Sequence, residues 1–130
     1  MPRHIESRLQ AAFVAWWNLA HRGLGVPDAR LLFAVPNGGA RNAVTGSILK
    51  GEGVRAGIPD ICLAVPNITR GGKAHGLFLE FKTTVGRVRE EQQQVMAALR
   101  GQGYEAVVVR TFGQAQQAVT QYLTGREIAL

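Results

Sequence analysis

Asp60, Glu80 and Lys82 are the residues whose types and spacing suit chemistry. Asp60 stands in Gly57-Ile58-Pro59-Asp60-Ile61, at the head of an apolar run ending at Val65. Glu80 and Lys82 close a second run, Gly76-Leu77-Phe78-Leu79-Glu80-Phe81-Lys82. Side chains alternate faces along a strand, so Glu80 and Lys82 share one face, about 7 Å apart along the chain. Leu77, Leu79 and Phe81 then point the other way, into a core. Two carboxylates at neighbouring strand ends suit a hard cation, and an ammonium beside them suits proton handling. The set fits hydrolysis of a phosphodiester. Each part alone is ordinary: an acid and a lysine two apart on a strand is a common surface pair, and Pro-Asp suits the start of any strand. The signal lies in the combination on adjacent strands.

Mg²⁺ binds through one or two carboxylates and keeps several waters. Asp60, Glu80 and a backbone carbonyl near Phe81 would satisfy it, with Glu6 as a further candidate. His4, His21 and His75 have no mutual metal-ligand spacing, which disfavours zinc. A metal here would polarise the phosphate and acidify a bound water. Two carboxylates favour the charged form of Lys82 and a bound dication weakens that preference, so base and electrostatic roles both stay open.

The elements that must position these groups follow from periodicity. Ile5, Leu9, Phe13, Trp16 and Ala20 recur at helical spacing and predict a first helix from about Ile5 to Ala20, with that set as its core stripe. Glu6, Gln10, Phe13 and Trp17 form the neighbouring stripe, which sets Glu6 at the edge of the buried face. On position alone Glu6 reads as a solvated first-turn acid. After a Gly- and Pro-punctuated turn, Leu31–Val35 is a short buried strand. The stretch from Ala40 to Ala56 reads as a loop, or a short helix near Ala43–Lys50, whose Arg41, Lys50 and Arg55 suit phosphate. Ile58–Val65 and Gly76–Lys82 are strands joined by an exposed hairpin loop, Pro66–Lys73. A helix from about Arg89 to Gln102 carries Gln92, Val95, Met96 and Leu99 on one face. Gln92 is thus polar on an inward stripe and needs a partner or a purpose. Ala106–Val109 is a buried strand, and Phe112–Leu123 a last helix with Phe112, Ala115, Val119 and Leu123 as its apolar stripe. This order argues an α/β sandwich, a central mixed sheet flanked by helices.

Composition bounds the function. A chain of 130 residues is one domain, residues 1–130, and 46% hydrophobic content with mean hydropathy near zero fits a folded globular protein. Fifteen Lys and Arg against nine acids give a net charge of +6 and a pI near 10.5, which favours a polyanionic partner, most simply nucleic acid. Only two of the nine acids are aspartates, and Glu6, Asp60 and Glu80 all enter the proposed site. Cys62, the sole cysteine, excludes an intrachain disulfide and a cysteine-based zinc site. Its expected role is that of a small buried hydrophobe, on the same strand face as Asp60. No apolar stretch approaches the roughly 20 residues of a membrane span. No small-residue cleavage site follows the first apolar segment, so a cytoplasmic protein is expected.

Taken in order, Val54-Arg55-Ala56-Gly57-Ile58-Pro59-Asp60-Ile61, then Leu79-Glu80-Phe81-Lys82, then Gly86-Arg87 and Gln92 resemble the VRR-NUC branch of the PD-(D/E)XK nucleases. The resemblance runs from about Glu6 to Leu123 and is closest to the short stand-alone form of phages and prophages. It implies a restriction-endonuclease-like fold, with Mg²⁺ (or Mn²⁺) bound by Glu6, Asp60, Glu80 and the carbonyl of Phe81. Lys82 would be the catalytic lysine and Gln92 a supporting active-site residue, which reverses the plain readings of Glu6 and Gln92. Arg87 joins Arg41, Lys50 and Arg55 as a DNA-contact candidate. The second arginine of the namesake motif is Ala56 here. The resemblance further implies a homodimer that resolves Holliday junctions, in a bacterial or phage-infected cell. Alternatives are a nuclease on flaps, nicks or duplex DNA, or a non-catalytic DNA-binding module of the same fold. A symmetric cut of two strands needs two copies of a one-site chain. Trp16 or Trp17 on the first helix and the apolar hairpin are candidate contact surfaces.

Overall fold

The computed structural model describes residues 2–36 and 43–130, and side chains within 5–36 and 45–130. Helix α1 spans Pro2–Ala20, strand β1 Leu32–Ala34, helix α2 Ala43–Gly51, strand β2 Ile61–Leu63 and strand β3 Leu77–Phe81. Helix α3 (Glu90–Gly101), strand β4 (Glu105–Val109) and helix α4 (Phe112–Leu123) complete the chain, with 3-10 turns at Ala29–Leu31 and Ile68–Arg70. The strands lie in the order β1-β2-β3-β4. The first two pairings are antiparallel and β3–β4 is parallel, so the sheet is mixed. A parallel return needs a crossover, and α3 supplies it.

Residue parity decides the layers. Leu77, Leu79 and Phe81 are fully buried, and the Phe81 ring meets Phe13 of α1 at 5.7 Å. Helices α1 and α4 touch each other and the sheet, forming one layer. Gln92 of α3 reaches Glu80, on the opposite parity of β3, so α3 forms the other layer. The α/β sandwich expected from element order is therefore present.

The core departs from expectation at α1. Phe13 and Trp17 are fully buried, whereas Trp16 is only half-buried and Ile5 is exposed. The stripe Glu6-Gln10-Phe13-Trp17 therefore turns inward, not the Ile5-Trp16 one. The Trp17 indole decides this, because its Nε1–H donates to the Ala29 carbonyl at 2.8 Å across the following turn. Its burial removes Trp17 as an intermolecular contact surface.

Two other expectations shift. The Ile58–Val65 strand shortens to Ile61–Leu63, because Pro59 has no N–H for a ladder and Asp60 sits in a bend. The Pro66–Lys73 connector is not a simple exposed hairpin loop. Asn67 is buried, donating to the Tyr122 carbonyl at 3.0 Å and accepting from Ala74 N–H at 2.8 Å. Arg70 donates to the carbonyls of Leu24, Gly25 and Leu123, tying the connector to α1 and α4. A surface charge in the sequence thus serves as a cap for orphaned carbonyls. The last helix has the expected bounds, and its buried face includes Ala118 and Tyr122, whose hydroxyl donates to Val65 O at 2.6 Å.

Candidate active site

Strand register brings the two carboxylates together. Ile61 pairs with Leu79, so one step further Asp60 stands opposite Glu80. Residues opposite each other across an antiparallel pair share a face, and Lys82 shares it by parity. Asp60 is held by its own strand partner: the Phe81 N–H donates to its Oδ2 at 2.8 Å. That bond ties the bend at the head of β2 to the end of β3. Gly57, at φ +85°, makes the approach: a Cβ there would lie 2.9 Å from the Glu91 carbonyl oxygen of α3. No side chain fits between this turn and the helix.

Glu80 is 3% exposed. Its Oε2 accepts from Gln92 Nε2 at 3.2 Å and lies 3.7 Å from Lys82 Nζ. Its Oε1 is buried and has no hydrogen-bond partner among the described residues. Burial, followed by the charge of Asp60, pushes the Glu80 carboxyl up to about 8, with Lys82 opposing and Glu6 adding to the rise. Ionising this buried carboxyl with a second carboxylate opposite is costly without a cation, and in its absence the proton is retained and shared toward Asp60. The donor set fits Mg²⁺ or Mn²⁺. The two strand carboxylates would supply the side-chain ligands and the Phe81 carbonyl a backbone one.

Gln92 has its amide orientation decided by two partners. Its Oε1 accepts the Arg89 N–H at 2.9 Å, which caps α3, and this leaves the amide N–H groups for Glu80. The polar residue on the inward stripe therefore has both a structural bond and a site bond. Glu6 reaches the site differently. It lines an open cleft of about 760 Å³ between α1 and the β1–β2 end, together with Gln10, Val14, Asn18, Val35 and Asp60. No three His, Cys, Asp or Glu side chains among the described residues are set to hold a metal between them. Glu6 thus acts on Glu80 through its charge, from the cleft wall.

The remaining expected residues are spread out. Lys50 is exposed in the last turn of α2, Arg55 is exposed before Gly57, and Arg87 is exposed between Lys82 and α3. Arg41 lies outside the described residues. Cys62 is half-buried on the Asp60 face, and burial raises its thiol pKa.

Arg110 is the residue the sequence reading missed. Its Nη1 donates to the carbonyls of Thr83 and Gly86, both at 2.7 Å, and Gly86 N–H closes the same turn on Thr83 O at 3.2 Å. The preceding residue, Val109, accepts the Lys82 N–H at 3.0 Å. The end of β4 therefore holds both Lys82 and the turn that follows it. The available signal was a charged residue ending the apolar run Ala106–Val109 beside the strand carrying the site.

The VRR-NUC domain model matches residues 4–113, most of the chain and all of the site. The chain belongs to the VRR-NUC family. A solved structure described as a VRR_NUC domain protein matches with a TM-score of 0.74 and 23% identity, covering 96% of this chain and 96% of that one. That likeness establishes the fold, which is restriction-endonuclease-like. Comparison with curated proteins gave no match. As a VRR-NUC domain the chain is a nuclease-type, DNA-binding domain, and Asp60, Glu80 and Lys82 occupy one face of its sheet.

Proposed function

We propose that this VRR-NUC domain is a metal-dependent, structure-selective DNA endonuclease of the junction-resolving kind, working as a homodimer in the cytoplasm of a bacterial or phage-infected cell. The observation that carries the reading is Glu80: a buried carboxylate with one idle oxygen, opposite Asp60 and beside Lys82. A module that only bound DNA would gain nothing from acids facing phosphate.

When bound, Mg²⁺ would polarise the scissile phosphate and acidify the attacking water. The chain supplies the rest. Glu80 and Asp60 would hold the cation. Gln92 fixes the Glu80 rotamer and satisfies Oε2, so that Oε1 is the oxygen left to bind. Lys82, held by Glu80 on one side and by Val109 through its backbone, orients the water and stabilises charge on the phosphate. Water oxygen bonds to phosphorus, the P–O bond to the 3′ oxygen breaks, and a 5′-phosphate and 3′-hydroxyl result. Lys50, Arg55 and Arg87 would contact backbone phosphates, and Arg41 is proposed from the sequence alone.

The test is cleavage of labelled four-way junction, flap and linear duplex with Mg²⁺, Mn²⁺ or EDTA. Paired symmetric nicks in the junction, absent with EDTA and in Glu80→Ala, are expected. Cleavage of flap or duplex in preference to junction would replace the substrate assignment. Binding with no cleavage under any metal would leave a non-catalytic module.

A further inference from the structure

The cleft beside Asp60 is larger than a metal site needs. Its α1 wall runs from Glu6 to Asn18, a helical rise of about 18 Å, and Val35 and Pro36 stand on the opposite side. Burial of Phe13 and Trp17 fixes the rotation of α1, which turns Gln10, Val14 and Asn18 toward the cleft. Ala11, Ala15 and Ala34 are too small to close it. The Val35 N–H donates to the Asp60 carbonyl at 2.8 Å, so the β1 wall is tied directly to a residue of the site. The volume, about 760 Å³, lies in the range of pockets that enclose a small molecule. A nucleoside fits such a space; a duplex, whose major groove alone is about 12 Å wide, does not enter it.

We propose that this cleft seats an unpaired nucleotide of the strand being cut, base inward, and that Gln10 reads the edge of that base. Its placement beside the cut phosphate rests on the nuclease reading; the seating of an extruded base rests only on DNA binding. The lining argues the occupant. Val14 from α1 and Val35 and Pro36 from the end of β1 offer apolar surface to the two faces of a flat ring, the way an extruded base is held. The side chains of Ser7, Gln10 and Asn18 make no hydrogen bond among the described residues, although each lines the cleft. An amide sets a donor beside an acceptor, the pattern that adenine complements through N7 and N6. The charged lining residues, Glu6 and Asp60, are both acids and both lie at the active-site end. A phosphate is therefore accommodated only there, with a cation, whereas the uncharged base can occupy the space beyond.

2-Aminopurine, an adenine analogue that is dim when stacked and bright when extruded, tests this directly. It is placed one position at a time around the cut phosphate of a four-way junction, with Ca²⁺ in place of Mg²⁺ on the carboxylates. Binding of wild-type protein should brighten a single position. Ala11→Trp fills the cleft from an exposed position of α1; it should abolish that signal and weaken junction binding about tenfold, the worth of one seated base. Leu19→Trp places the same ring on an 88% exposed residue of α1 outside the cleft, and should retain both. Gln10→Ala leaves the cleft open. It should keep the brightening and erase an about tenfold preference for adenine at that position, read by competition among the four natural bases; a folding defect would not give that pattern. No brightening at any position, brightening retained in Ala11→Trp, or an unchanged base preference in Gln10→Ala would overturn the proposal. Brightening that Ala11→Trp abolishes, with no cleavage under any metal, keeps the cleft and removes the nuclease. Metal-dependent junction cleavage that Ala11→Trp leaves unaltered does the reverse.

Discussion

Glu80 is poised between two states that a cation would separate. Its carboxyl titrates near 8 in the folded chain, against 4.5 for the free side chain. Between those values the folded protein holds a proton that the unfolded chain releases. The metal-free fold therefore loses stability as pH rises from about 4.5 to about 8, and the loss is complete above that window. Melting temperature followed across pH should show this decline, and Glu80→Gln should flatten it. The same substitution should cost cleavage about 100-fold or more, because the metal loses a charged ligand. Added Mg²⁺ should raise the wild-type melting temperature more at pH 8 than at pH 6, where the retained proton competes. Equal Mg²⁺ responses at both pH values would remove Glu80 from the metal site. Lys82→Ala separates chemistry from binding. It should retain junction affinity while losing roughly 100-fold or more in single-turnover rate; unchanged cutting would remove Lys82 from the mechanism.

At the scale of elements, the site depends on three local devices whose failures differ. Gln92 both caps α3 and orients Glu80. Gln92→Glu should preserve the cap, since a carboxylate oxygen accepts the Arg89 N–H equally well. It would also oppose Glu80 with a like charge, so cleavage falls while melting in acid, where carboxyls are neutral, stays near wild type. Gly57→Ala puts a Cβ into the Glu91 carbonyl at positive φ. It should destabilise by about 1–2 kcal/mol or more from the backbone conformation alone, read by urea denaturation. Arg110→Ala frees the Thr83–Gly86 turn. The expected signature is a lower single-turnover rate, because Lys82 opens onto that turn, with DNA affinity falling no further than in Arg87→Ala, because Arg87 directly follows it.

At the scale of the whole molecule, the excess of positive charge is spread across exposed positions on separate elements. If Lys50, Arg55 and Arg87 each contact a phosphate, replacing any one by Ala should weaken binding uniformly across DNA sequences. Each should also lower the slope of log affinity against log salt by about one unit. An unchanged slope would release that residue from the interface. No helix among the described residues is long and apolar enough to cross a membrane.

Much of this was legible in the sequence because it is local. Alternation along Gly76–Lys82 set Glu80 and Lys82 on one face, helical spacing marked α1, α3 and α4, and Gly-Ile-Pro-Asp marked the head of β2. The ordered motifs from Val54 to Gln92 indicated the VRR-NUC family. What only tertiary structure decided involves contacts distant in the chain. Which α1 stripe turns inward depends on the Ala29 carbonyl that accepts the Trp17 indole. Whether Asp60 faces Glu80 depends on the β2–β3 register. The purposes of Arg70 and Arg110 lie in carbonyls at least 24 residues away. Periodicity reports which face of an element is apolar; it carries no information about which other element that face meets. A buried charge or an idle carboxylate oxygen exists only once those elements have met.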